Sequence, residues 1–186
     1  TANYFSDPEF LSRLKAEPEP GGVFTEAVFH FLGAFASKSL STDNIARIRE
    51  WTDLPTLVKG VVRADEATDL VEAGVDGIVV SNHGGRQIDN SVAALDALPE
   101  VVEAVGDRVT VLFDSGVRSG ADVAVALALG AKAVLLGRPW VYGLALDGAA
   151  GVEHVLRATL AELQITAELM GKDAADLDAS DVTRRP

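Results

Sequence analysis

The chain has 186 residues, 48% apolar and 24% charged, enough for one globular domain that buries about 70% of its unfolded surface. A net charge of −12 repels phosphate backbones and argues against nucleic-acid binding, and the lack of Cys excludes disulfides and thiolate chemistry and fits a reducing compartment. No apolar run approaches the ~18 residues of a membrane span and no basic-then-apolar leader is visible, so a cytoplasmic place, or one peripheral to a membrane, is expected.

Residues 1–22 read as irregular, punctuated by Pro8, Pro18, Pro20 and Gly21-Gly22 around Phe5, Phe10 and Leu11. The spacing of Val23, Ala27, Val28, Phe31, Leu32 and Phe35 predicts a helix. Ser41-Thr42-Asp43 offers an N-cap for another, running to about Trp51. From Leu54 the pattern repeats. A strand over 56–62 precedes a helix over 64–73 that Gly74 stops. Gly77-Ile78-Val79-Val80-Ser81 reads as a buried strand, followed by a helix over 92–105 interrupted near Pro99. Val109 to Phe113 is a third strand. Ser119 caps a helix through Leu129, which Gly130 ends. Ala133 to Leu136 is a fourth strand, and a long amphipathic helix covers about 152–170, with Val152, Val155, Leu156, Leu160, Leu163 and Leu169 on one face. Continuously apolar strands alternating with helices point to a parallel sheet covered on both faces. The spacing suits a closed barrel or an open sheet equally. The expected organisation is a segment over 1–40, a β/α body over 41–171 and a solvated acidic tail over 172–186.

Parallel α/β folds gather function at the C-terminal ends of their strands. Here those ends carry Lys59-Gly60, Ser81-Asn82-His83-Gly84-Gly85-Arg86-Gln87, Asp114-Ser115-Gly116-Val117-Arg118 and Gly137-Arg138-Pro139. Every end has a cation or a His, within an acidic chain. Lys59, His83, Arg86, Arg118 and Arg138 would form a positive cup for an anion. Gly60, Gly84, Gly85, Gly116 and Gly137 would let backbone N–H groups approach phosphate oxygens. Plainer readings stand beside these. A strand-end Lys is often just solvated, Asp114 could cap a turn, and Arg118 and Arg138 could be ordinary ion-pair partners. His30 and His154 read as structural or surface groups, and Trp51, Trp140 and Tyr142 as packing residues.

Together, residues 57–60, 74–87, 113–118 and 127–134 resemble the FMN-dependent α-hydroxy-acid dehydrogenase/oxidase family, the Ser81-to-Gln87 run being the most specific. The resemblance covers roughly 41–171; residues 1–40 resemble the preceding segment of the lactate 2-monooxygenase branch. It implies an α/β fold, the C-terminal half of a (β/α)8 TIM barrel, binding FMN and oxidising a small (S)-2-hydroxy acid such as lactate or glycolate. By it, His83 is the catalytic base and touches substrate, Arg86 binds the substrate carboxylate, and Lys59 sits by the flavin's pyrimidine edge. Ser81 hydrogen-bonds the flavin region, and Asp114, Ser115, Gly116, Val117, Arg118, Gly137 and Arg138 hold its ribityl chain and phosphate. No metal is implied. The electron acceptor is O2 or another oxidant, and a homo-oligomer is expected.

Many members have Gly where this chain has Ser115; the lactate 2-monooxygenase branch is similar to it in having Ser. The larger departure is that the family's barrel has eight strands and this sequence four. The other strands, an aromatic residue over the substrate, a second carboxylate-binding Arg and the carboxylate that orients the base are expected from an N-terminal half. The chain is therefore expected to be a piece of a longer enzyme, nicked before Thr1 or supplied as one of two chains. The alternative is a half-barrel that binds FMN or phosphate without catalysis. An IMP-dehydrogenase-like barrel would need a catalytic Cys, and there is none.

Overall fold

A computed structural model describes residues 7–14, 25–35 and 41–183, in two units, Thr1–Ser41 and Thr42–Pro186. Phe5, Pro18, Pro20, Gly21, Gly22 and Val23 lie outside the described residues. In the first unit the Asp7 carboxylate caps α1 (Pro8–Ser12) by accepting from the N–H groups of Glu9 and Phe10. Phe10 is buried, its ring tilted against His30 at 5.4 Å, which makes His30 of α2 (Thr25–Phe35) a packing residue.

The second unit begins with α3 (Asp43–Arg49), shorter than the reading to Trp51 and without a side-chain cap. Four strands follow: β1 (Leu57–Val61), β2 (Gly77–Val80), β3 (Thr110–Phe113) and β4 (Ala133–Val134). They pair in parallel in the order β1-β2-β3-β4. Each crossover carries a helix: α4 (Ala64–Glu72), α5 (Ala94–Val105) and α6 (Gly120–Ala128). A fourth helix, α7 (Arg138–Leu169), follows β4.

The helices cover one face of the sheet. There Ile78, Val80, Val111 and Phe113 pack with Leu70, Leu98, Val101 and Val105 in a single core. Each buried aliphatic or aromatic side chain of this kind contributes about 1.5–3 kcal/mol. The strand positions between them, Leu57, Lys59, Val79, Thr110 and Leu112, point to the other face. Only β2 is buried throughout; β1 and β3 alternate between exposed and buried. The expectation that all strands are covered on both faces therefore fails for β1, β3 and β4, which each keep exposed positions.

α5 is continuous through Pro99, not interrupted there. Ala94, Ala97, Leu98, Val101 and Val105 form one buried stripe, and its burial outweighs the ~3 kcal/mol that an interior proline costs. α6 starts on a capping box, in which Ser119 accepts from the Asp122 N–H and Asp122 from that of Ser119, worth about 1 kcal/mol.

α7 consists of two helical stretches joined at Asp147 and Gly148, whose backbone is not helical; the second matches the helix expected over about 152–170, and the first, from Arg138, was not expected. Past the bend, Gly151 lies so close to Gly143 that a Cβ on either would meet the other's carbonyl oxygen at 2.0–2.4 Å. Leu156, Leu160 and Leu169, expected on its packed face, are exposed, while Thr159 and Ala167 are buried. The packing reading also fails for Trp51, Trp140 and Tyr142, 69%, 37% and 59% exposed; Trp51 instead lies under the Arg47 guanidinium at 5.2 Å.

The acidic stretch after α7 is held, not freely solvated. Lys172 bridges Asp178 at 3.0 Å and Asp181 at 2.7 Å, and Leu177 is buried against Ala124 and Ala128 of α6.

Candidate active site

Three side chains on the open face of the sheet meet at the C-terminal ends of adjacent strands. Lys59 Nζ lies 2.7 Å from Asp114 Oδ2 and donates to Ser81 Oγ at 3.0 Å, so β1, β2 and the end of β3 are tied by one ammonium group. Ser81 is completely buried. Burial pushes the Asp114 carboxyl up, but hydrogen bonds from Lys59, Ser81 and Ser115, with the lysine charge, bring it below the usual aspartate value. Lys59 is therefore an ion-paired cation, not a solvated strand end.

His83 stands on the turn after β2 with a left-handed backbone, φ +57°. Its N–H donates to Ser81 Oγ at 3.0 Å. Its imidazole fills the space beside Gly60: a Cβ there would stand 2.5 Å from Nε2. Gly60, at φ +105°, lies at a shift of register between β1 and β2, so the bulge in β1 makes the seat for the ring. This corrects the expectation that Gly60 lets phosphate approach the backbone.

The rest of the turn is anchored as firmly. Asn82, which the reading of candidate residues passed over, accepts from the Gly85 N–H at 3.2 Å and donates to the Val92 carbonyl at 3.2 Å, bracketing the turn and the residues leading to α5. An Asn before two glycines is the local signal that marks it. Ser115 Oγ accepts from the N–H groups of Asn82 at 3.2 Å and Gly84 at 3.1 Å. Ser115 itself has φ +91°, a backbone that costs a non-glycine residue on the order of 1–3 kcal/mol. From the first turn of α7, Arg138 donates to the Gly84 carbonyl at 3.0 Å.

Arg86, Arg118 and Arg138 fare differently. Arg86 is exposed, and among the described residues it has no hydrogen-bond or ion-pair partner. Arg118 bends back to the Val117 carbonyl at 3.3 Å and does not line the cavity beside it. Arg138 does line that cavity, of about 440 Å3, together with Gly84, Gly85, Ser115, Gly116 and Val117. Of the five expected cations, Lys59 and His83 are thus brought to the same strand end, Arg138 joins the turn of His83, and Arg118 is turned away.

The chemistry of this rim fits a flavin phosphate. Gly85, Gly116 and Gly137 have nothing within 4 Å of where a Cβ would be, so their backbones are open to a ligand. The α7 N-terminus at Gly137 has no side-chain cap, and its free N–H groups and dipole favour an anion. Arg138 spends one of its five guanidinium N–H donors on Gly84.

The chain matches the family model "FMN-dependent dehydrogenase" over residues 4–184. It is 51% identical over 173 residues to an FMN-dependent alpha-hydroxy acid dehydrogenase of Schizosaccharomyces pombe, covering 90% of this chain and 42% of that protein. It is 49% identical over 149 residues to 2-hydroxyacid oxidase 1 of Mus musculus, covering 80% and 40%. Among solved structures, the monotopic membrane protein (S)-mandelate dehydrogenase matches with a TM-score of 0.79 at 35% identity over 87% of this chain and 43% of that one. A mandelate oxidase variant carrying a monooxide FMN adduct matches with a TM-score of 0.71 at 42% identity, covering 75% and 46%. The chain thus spans less than half the length of these relatives, and its four β/α units form half of a (β/α)8 barrel. On the family match and on this half-barrel with its strand-end site, the chain belongs to the FMN-dependent dehydrogenase family.

Proposed function

We propose that the full-length protein oxidises a small (S)-2-hydroxy acid, such as lactate or glycolate, to the 2-oxo acid, with His83 as the base. The observation that carries this is the seating of the His83 ring against Gly60, one residue from the Lys59–Asp114 ion pair. A base must be held within reach of its proton before its basicity matters. Here the N–H of His83 is fixed by Ser81 and its ring by the bulge in β1.

FMN, when bound, accepts the two electrons that the hydroxy acid loses. His83 takes a proton from the substrate at its imidazole. Arg86, unpartnered among the described residues, binds the substrate carboxylate through its planar pair of donors. Lys59 keeps a positive charge at the strand ends, and Asp114 and Ser81 fix where that charge points. Arg138, the backbone at Gly116 and Gly137, and the α7 N-terminus hold the cofactor's phosphate, with Asp114 and Val117 along the ribityl side. The other half of the same barrel supplies the rest of the substrate pocket, and O2 or another acceptor takes the electrons onward.

The test is anaerobic addition of L-lactate, glycolate and mandelate, separately, to the FMN-loaded full-length protein. Loss of the flavin's visible absorbance with at least one of them, and recovery of the matching 2-oxo acid or its oxidised product after air is admitted, is expected. A protein that holds FMN and stays yellow with all three would contradict the proposal.

A further inference from the structure

We propose that Ser115 is a positioning residue for the His83 base and not a ligand of the cofactor; this rests on the reading of His83 given above. A hydroxyl has one hydrogen to donate and two lone pairs to offer. At Ser115 all three are spent inside the protein. Its Oγ donates to Asp114 Oδ1 at 2.9 Å, accepts from the backbone N–H groups of Asn82 at 3.2 Å and Gly84 at 3.1 Å, and lies 3.4 Å from the Ser81 hydroxyl besides. Nothing remains for a ribityl hydroxyl or a phosphate oxygen.

The two amides it holds flank His83, whose own N–H is held by Ser81 Oγ at 3.0 Å. Three successive N–H groups thus converge on two serine oxygens from neighbouring strand ends. Consecutive backbone N–H groups of this kind form a concave nest, usually for an anion. Here the hydroxyls fill it, and the filling holds residue 83 at φ +57°, which directs the imidazole onto Gly60. The position is held against its own preference, because Ser115 stands at φ +91°, where a glycine would sit without strain. The strain persists where the hydroxyl is used three times. Asp114, which accepts the Ser115 hydrogen, is also the ion partner of Lys59. The chain Lys59–Asp114–Ser115–turn 82–84 therefore sets the cation and the base from one carboxylate.

The experiment uses the FMN-loaded full-length protein with Ser115→Gly, which removes the hydroxyl and relieves the backbone, and Ser115→Ala, which removes the hydroxyl alone. In both, amide hydrogen exchange at Asn82 and Gly84 should quicken by about tenfold or more. The limiting rate of anaerobic flavin reduction should fall about tenfold, while the FMN dissociation constant stays within about twofold. This split between rate and affinity distinguishes positioning from general loosening. Unchanged exchange at 82 and 84 overturns the proposal whatever the activity. So does faster exchange with an unaltered reduction rate, or weakened FMN binding with the rate retained, which would make Ser115 a cofactor ligand. A parent protein that binds FMN and is bleached by no 2-hydroxy acid sinks the oxidation reading instead, and exchange at 82 and 84 then still decides whether Ser115 holds the turn.

Discussion

Gly60 and His83 share one small volume, and the base depends on a side chain that is absent. A Cβ at residue 60 would fall 2.5 Å from the His83 Nε2 and would add strain at φ +105°. Gly60→Ala should therefore displace the imidazole and slow flavin reduction by about tenfold or more, with FMN still bound; stopped-flow absorbance would show it, and a parent-like rate would place the ring elsewhere. Arg86→Lys should raise the substrate concentration needed for half-maximal reduction more than it lowers the limiting rate, because an ammonium cannot reproduce a two-pronged contact with a carboxylate. Of this site, the sequence made legible what residue type and strand-end position reveal: His83, Lys59, Arg138 and the open glycines 116 and 137. It could not reveal that Gly60 seats a ring, that Ser115 is saturated, or that Arg118 bends to its own loop. The first two depend on which side chain fills which gap between strand ends more than 20 residues apart, and the third on a rotamer choice within one loop; no local spacing encodes either.

Among the elements, the strands and the first three crossover helices were legible to within one or two residues because each carries its own apolar period and stop signal. The second stretch of α7 was legible too, but its first, from Arg138, was not, since Gly143, Gly148 and Gly151 interrupt the pattern there, and the Gly143–Gly151 contact appears only once the chain bends back. The α6–α7 contact is as close. A Cβ at Gly120 would meet the Leu163 backbone nitrogen at 2.1 Å, and the Gly120 N–H donates to Glu162 Oε2 at 2.8 Å. Gly120→Ala should cost about 1–3 kcal/mol, read as a lowered denaturation midpoint at unchanged slope; a parent-like midpoint would mean that the helices separate freely.

The clasp after α7 has a pH window. The Ser180 hydroxyl and then Lys172 hold the Asp178 carboxyl at about 2, and Lys172, with the Asp178 backbone, lowers that of Asp181. Folded values below the unfolded ones stabilise above the unfolded value, near 4, and that stability is lost as pH falls through the folded value. Lys172 is raised above its ordinary value by Asp181 and then Asp178, so its share is complete below about 10.5 and is lost only above it. Amide exchange at Leu177, corrected for its intrinsic pH dependence, should be flat from about pH 5 to 9 and quicken between about pH 4 and 2. Quickening already near pH 6 would contradict the assignment.

At the scale of the molecule, β1 and β4 are each paired on one side only among the described residues, and Leu57 is 42% exposed on the open face. Unpaired strand edges and exposed apolar side chains favour association. Residues 42–183 expressed alone should self-associate as concentration rises, seen by analytical ultracentrifugation, and a monodisperse monomer would show that the half-barrel is self-sufficient. Among the described residues no helix is long and apolar enough to cross a membrane.

The central claim is that the strand-end turn of this half-barrel supplies the base for oxidation of a 2-hydroxy acid. It is tested most directly by His83→Gln in the FMN-loaded full-length protein, mixed anaerobically with whichever hydroxy acid bleaches the parent. The account predicts bound, yellow flavin whose reduction is slowed by orders of magnitude; reduction at the parent's rate would contradict it.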